Sequence, residues 1–327
     1  MTTPTVPTVP AASGPADAPP PVGRPSRRGR VLTIVGAVLA GICVAQLAQQ
    51  GLAELTATTE TTTESVPAAA VVEIVADGSV TVLATTGDTV EVERRTRALW
   101  REPDTSTEQG DDRVVVRHTC GWRLVGTCRT STSVRLPEGT DLVVRTSDGD
   151  VDAEGALAAA TVRTSSGHVT VVGARGAVTA RSSDGSVTVS DVGGAVQART
   201  SSGRVEIIGA SGAVAARSSD GDVMVRDAGG GVEARTSSGR VEVDGAGGAT
   251  SARSSDGAVL VAGVDGDVSA VTSSGRVTVH GTGVPVALDM STSSGRQTVD
   301  APTDPGASRT VTIRSSDGDV SYLGPRG

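Results

Sequence analysis

The sequence predicts an all-β chain: a two-sided parallel β-solenoid of 18-residue coils, preceded by a single N-terminal transmembrane helix. Three observations carry this expectation. A phrase of the form RTSSG or RSSDG recurs every 18 residues, starting at Arg145, Arg163, Arg181, Arg199, Arg217, Arg235 and Arg253, with a variant at Val271 and looser copies at Ser291 and Arg314. Each unit divides into two halves of nine residues that carry an apolar-alternating run bounded by glycine. An uncharged run, Val31 to Ala48, follows a cluster of arginines near the amino terminus. A fixed short period is the signature of stacked repeats and sets the architecture before any single residue does.

Each half reads as a short strand and a tight turn. In Ser182–Ser190, SSDGSVTVS, valine occupies the sixth and eighth places, which puts both side chains on one face of a strand. The 18-residue columns are uniform: Val187, Val205, Val223 and Val241 in one half, Ala198, Ala216, Ala234 and Ala252 in the other. Branched valines suit a pleated surface, and the alanine column predicts that one edge of the core is thin. Glycines line both turns, at Gly185, Gly203 and Gly221 in the first and Gly194, Gly212 and Gly230 in the second. Nine is odd, so alternation must break once per half, and glycine supplies the positive φ that such a break commonly needs.

An antiparallel meander is the competing architecture, and charge placement argues against it. Arg204, Asp222 and Arg240 share a column, so parallel stacking sets an acid between two bases. The outer arginine column stacks like charges, and neighbouring Asp and solvent are expected to relieve it. With a rise of about 4.8 Å per coil, eight regular coils extend roughly 38 Å.

The segments read in order. Residues 1–30 form a disordered cytoplasmic tail rich in Pro, Thr and Ala that ends in the basic cluster Arg24, Arg27, Arg28 and Arg30. Residues 31–48 are long enough to span a bilayer, near the lower limit. The preceding arginines place the tail in the cytoplasm and the repeats outside it. A retained anchor is favoured over a cleaved signal peptide because no A-x-A site closes the apolar run. Cys43 is not placed as in a lipobox, since Ile42 separates it from the small residues. Residues 49–70 read as a Thr-rich linker, 71–144 as divergent N-terminal β rungs and a cap, 145–290 as the regular solenoid, and 291–327 as irregular C-terminal rungs.

Composition excludes several functions. The formal charge is −8, aromatic content is 1 %, and all 29 basic residues are arginine. An acidic chain with few rings lacks the means to hold nucleic acid. With no lysine there is no Walker motif, and no G-x-S-x-G elbow is present. The Asp184, Asp220, Asp222 and Asp256 set recurs with the repeat, as a solubilising rim would. The expectation is therefore no catalytic residue and no cofactor.

Cys120 and Cys128 have seven residues between them, and a local disulfide is the expected pairing outside the membrane. A zinc site using His118 with both cysteines would lack a fourth ligand. DGDVDAE (Asp148–Glu154) lacks the Gly and Glu that a calcium loop places at its sixth and twelfth positions. The nonapeptide is similar to the calcium-binding β-roll repeat, with Val where that motif places its ligand Asp. The chain is expected to keep its β signal in chelator, as circular dichroism would report; loss of that signal would reveal a calcium requirement.

From about Val71 onward the chain resembles the bacterial "putative adhesin" family of β-strand repeats, a cell-envelope domain of unknown function. The resemblance rests on ADGSVTV (Ala76–Val82), VRLPEGTDLVVRTSDGDV (Val134–Val151) and the iterated RTSSGRVEV, and covers roughly four fifths of the chain. It implies a β-solenoid on an anchored, extracytoplasmic chain and no catalytic residues. The function expected is surface adhesion or envelope scaffolding, with a cell-envelope polymer or surface protein as partner. The alternatives are a sensor of envelope state acting through a membrane signalling partner, and a polysaccharide-active β-helix enzyme.

Overall fold

A computed structural model describes residues 58–99, 103–120 and 127–326. The expected disordered tail, the transmembrane segment 31–48 and the first part of the linker lie outside the described residues. Among those described, no helix is long and apolar enough to cross a membrane.

The described residues are all-β. Their strands form two sheets, sheet 1 of 14 strands and sheet 2 of 13. Through the regular region every strand pairs in parallel with the strand 18 residues away: Val187 with Val205 in sheet 1, Val196 with Val214 in sheet 2. Each coil thus contributes one strand to each sheet. The inner faces close on one another through columns that are almost wholly buried: Val187, Val205 and Val223 with Val189, Ile207 and Val225 from sheet 1, and Val196, Val214 and Val232 with Ala198, Ala216 and Ala234 from sheet 2.

Glycine does two separate jobs here, in two different columns. In the first-turn column a Cβ on Gly185, Gly203, Gly221 or Gly239 would lie 1.8–2.2 Å from the carbonyl oxygen of the glycine one coil below. These residues are needed for close backbone approach rather than for the positive φ expected of them. The positive φ falls in a third column instead, at Gly173, Asp191, Gly209, Asp227, Gly245 and Gly263. That is where alternation breaks: in Val187–Val192 the burial pattern runs Val187 in, Val189 in, Asp191 out, Val192 in. The phase flip adds a core column not expected from sequence, Val192, Ala210, Ala228, Ala246 and Val264. Asp191 and Asp227 take the left-handed conformation at φ 56° and 55°, which short polar side chains tolerate.

The second residue of each RTSSG or RSSDG phrase is also structural. Thr200 donates its hydroxyl to the Gly185 carbonyl at 2.8 Å and accepts the Gly203 amide at 3.2 Å. Ser182, Ser218, Thr236 and Ser254 repeat the pattern, so a buried hydroxyl ladder ties each coil to the one below. Thr236→Val keeps the shape and strands a buried carbonyl and amide. Its expected cost is about 2 kcal/mol, read from a urea melt; an unchanged midpoint would show the ladder to be dispensable.

The ends depart from sequence order. The coil built from Val71–Ala76 and Ser79–Thr85 sits between the coil of Arg113–Thr119 and Thr127–Pro137 and the coil of Asp141–Thr146 and Val151–Glu154. At the other end, Thr310–Ser315 and Val320–Leu323 insert between the last regular coil and Ala287–Thr292 with Gln297–Asp300, which therefore form the terminal coil. The Thr-rich stretch expected to be linker through residue 70 is in part a strand. Thr58–Pro67 pairs antiparallel with Thr89–Leu99, as the high β-propensity of threonine allows. The Thr89–Leu99 strand pairs antiparallel with Thr127–Pro137, and Asp104–Gln109 with Arg113–Thr119. These antiparallel strands cover the amino-terminal end of the stack.

Candidate functional site: an open shelf on sheet 2

The outer face of sheet 2 carries a groove of about 940 Å³ that runs over seven coils. Its floor is the column Ala177, Ala195, Ala213, Gly231 and Ala249, whose residues project at most a methyl group. Beside it lies a second column of Thr179, Gln197, Ala215, Glu233 and Ser251. The strand pairing then sets Arg163, Arg181, Arg199, Arg217, Arg235 and Arg253 side by side on the same sheet, and Arg235 and Arg253 of this column line the groove. The shelf exists because the sequence spends its large apolar residues inward and leaves alanine and glycine on this face at the start of each strand.

Relief of the like charges differs from the sequence expectation. Glu233, not a neighbouring Asp, bridges Arg217 at 2.7 Å and Arg235 at 3.0 Å, and Gln197 accepts from Arg181 at 2.8 Å. The hydrogen bond from Arg217, with the nearby Arg235 and Arg253 charges, holds the Glu233 carboxyl below its ordinary pKa. Arg163, Arg199 and Arg253 make no ion pair among the described residues.

The other charged columns fix register. Asp150 accepts the His168 amide at 2.8 Å, the His168 Nδ1 accepts the Ser186 amide at 3.1 Å, and Asp222 accepts the Arg240 amide at 2.8 Å. His168 is thus a member of the coil-to-coil column, while the His280 Nδ1–H donates to the Gly324 carbonyl at 3.0 Å. Asp184, Asp220 and Asp256 are exposed and recur at alternate coils, about 10 Å apart, rather than facing one another as a catalytic pair.

The amino-terminal end has a polar core. His118 is fully buried, its Nε2 2.9 Å from the Thr96 hydroxyl and its Nδ1 2.8 Å from that of Thr132. Burial first, then the Arg94 charge, pushes its pKa down to about 4, and Asp77 opposes the shift. Arg94, itself buried, reaches Glu64 at 3.0 Å, and the Thr107 hydroxyl donates to the same carboxylate oxygen at 2.6 Å. Those two bonds, Thr107 foremost, hold the Glu64 pKa below its usual value. Cys120 and Cys128 are disulfide-bonded with Cα atoms 6.2 Å apart. Asp77 anchors this region by accepting the Cys120 amide at 2.7 Å and the Ser147 hydroxyl at 2.8 Å. His118 therefore faces two threonines, and among the described residues no group of three or more His, Cys, Asp or Glu could hold a metal ion.

Fold and surface together define a two-sheet parallel β-solenoid with a long, small-residue shelf on one face. Residues 60–252, more than half of the chain, match the family described as Toastrack DUF4097, and the chain belongs to that family. Among the curated proteins none matches the sequence. Three solved structures are similar. A "putative cell adhesion protein" from Clostridium sporogenes is 8 % identical, over 82 % of this chain and 100 % of that one, with a TM-score of 0.25. A "putative lipid binding protein" from Parabacteroides distasonis is 12 % identical, over 81 % and 96 %, with a TM-score of 0.38. A "putative adhesin" from Bacteroides fragilis is 10 % identical, over 81 % and 97 %, with a TM-score of 0.32.

Proposed function

We propose that this protein is a non-enzymatic attachment or scaffolding element of the cell envelope, displayed outside the cytoplasm on a membrane anchor formed by residues 31–48. The observation that carries the reading is the shelf: one open contact surface repeated over seven coils. A surface of this kind gains strength by multiplying weak contacts along an extended partner, so avidity supplies what no single contact does. The partner is a cell-envelope polymer or another surface protein. The Cys120–Cys128 disulfide supports an oxidising, extracytoplasmic location. A buried core that is continuous between two long sheets also suits a spacer.

The test is retention of the full-length protein on envelope material from intact cells after crosslinking. Ala195→Trp with Ala213→Trp fills the shelf from its solvent side, and retention is expected to fall. Undiminished retention would remove the shelf from the reading. Exchange of residues 1–48 for an unrelated anchor is expected to leave retention unchanged; loss of a signalling response on that exchange would point instead to a sensor.

A further inference from the structure

We infer that the shelf takes a linear, carboxylate-bearing polysaccharide laid along the stacking direction, its acid groups on the ladder Arg163 to Arg253. This rests on the attachment reading and names the partner's chemistry.

Elsewhere the solenoid avoids stacked like charges. One turn column runs Asp150, His168, Ser186, Arg204, Asp222, Arg240, with Arg204 and Asp222 paired at 3.8 Å. On sheet 2 six arginines follow one another with no such alternation. Like charges directly opposite on neighbouring strands are destabilising. The groove itself is lined by Arg235 and Arg253 with Glu233 and Asp267, so its own charges balance, and the excess positive charge lies on the ladder beyond the lining, on a chain whose formal charge is −8. The unfavourable ladder is therefore local, and it meets the open groove at Arg235 and Arg253.

The ladder's chemistry selects the ligand. A guanidinium presents a planar fork that matches a carboxylate with two parallel hydrogen bonds. One arginine per coil gives a fork about every 4.8 Å. An extended polyuronate carries one carboxylate on every sugar ring, so acid groups recur regularly along a chain laid on the ladder. The floor of Ala177, Ala195, Ala213, Gly231 and Ala249 leaves room for a flat ring against the sheet. Nucleic acid fits less well, because no aromatic side chain lines the groove for its bases.

The experiment measures retention of the full-length protein on immobilised polygalacturonate, with neutral dextran and polyphosphate as comparisons. Binding to polygalacturonate alone is expected, weakening as salt rises. Arg163→Gln, Arg199→Gln and Arg253→Gln together are expected to weaken it at least about ten-fold, because charge-assisted forks are lost. Arg204→Gln, Arg240→Gln and Arg276→Gln make the same charge change on the turn column and are expected to leave it within about two-fold. Equal loss in both triple variants, no binding by the unaltered protein, or preference for polyphosphate would each overturn the assignment. If polygalacturonate fails while Ala195→Trp with Ala213→Trp still abolishes envelope retention, the polyuronate assignment falls and the attachment reading stands. If that variant is retained as well, both fall.

Discussion

Gly221→Ala is expected to destabilise the solenoid by at least about 3 kcal/mol, the upper end of what overpacking costs. The added Cβ would lie 1.8 Å from the Gly203 carbonyl oxygen, and that oxygen belongs to backbone. The carbonyl is also fixed from the other side, because it accepts the Ser218 hydroxyl at 2.9 Å. Neither coil can yield without breaking the parallel register that carries the core columns. Two comparisons separate this close approach from glycine's other properties. Gly87→Ala adds a methyl into open space and is expected to stay within about 0.5 kcal/mol of the parent. Gly209→Ala has room, with its nearest neighbour at 3.4 Å, but sits at φ 69°, so a cost of about 1–2 kcal/mol is expected. Gly209→Asn should cost less than Gly209→Ala, since a short polar side chain tolerates this conformation, as Asp191 and Asp227 do, and Asn adds no third charge between them. Urea midpoints of the four variants give the order directly. A Gly221→Ala midpoint near that of Gly87→Ala would mean that the coils are looser than their spacing implies.

This gradation shows which parts of the fold are legible in the sequence. The period and the paired valine columns announce parallel coils, because each coil meets only its neighbours and repeats their chemistry. The break in alternation is also foreseeable from the odd half-length. Its location is not: Asp191 and Asp227 interrupt the glycine column that bears the positive φ, and so hide it. The hydroxyl ladder is in plain view as the Thr or Ser of every phrase. Its role depends on the carbonyl one coil away, which local alternation does not encode. The exchanged coil order at the two ends arises from pairing across tens of residues and leaves no periodic trace. The shelf is the converse case. Its alanines and glycines read as turn chemistry, because a contact surface made of small side chains carries no motif. The arginine column that borders it stands out in the sequence as an electrostatic discomfort, and that discomfort is the signal that marks it.

Acidification is expected to weaken the amino-terminal end of the stack through His118. The ring is wholly buried, with both nitrogens engaged by Thr96 and Thr132, and burial together with Arg94 lowers its pKa from 6.5 to about 4. In the unfolded chain the same ring titrates near its ordinary value. Between these two values the unfolded chain binds more protons than the folded one, so stability must fall as pH falls across that window. A tenfold difference in proton affinity between the two states corresponds to about 1.4 kcal/mol, so the full loss is about 3 kcal/mol by the time the folded pKa is reached. Above about pH 7.5, roughly one unit beyond the unfolded value of 6.5, the ring is neutral in both states and contributes almost no slope. Glu64 acts in the same direction, since its lowered pKa gives stability that is lost as pH falls, but it is common to the parent and a His118→Gln variant and cancels in their difference. The measurement is the urea midpoint of both proteins from about pH 8.5 to about pH 4.5. The parent is expected to lose stability more steeply than His118→Gln from about pH 7.5 downward, most steeply between pH 6.5 and the lower limit, and the two slopes are expected to match above about pH 7.5. Parallel curves throughout would show that the folded ring takes up its proton at an ordinary pH, which would require the antiparallel strands over this end to open and let water reach His118.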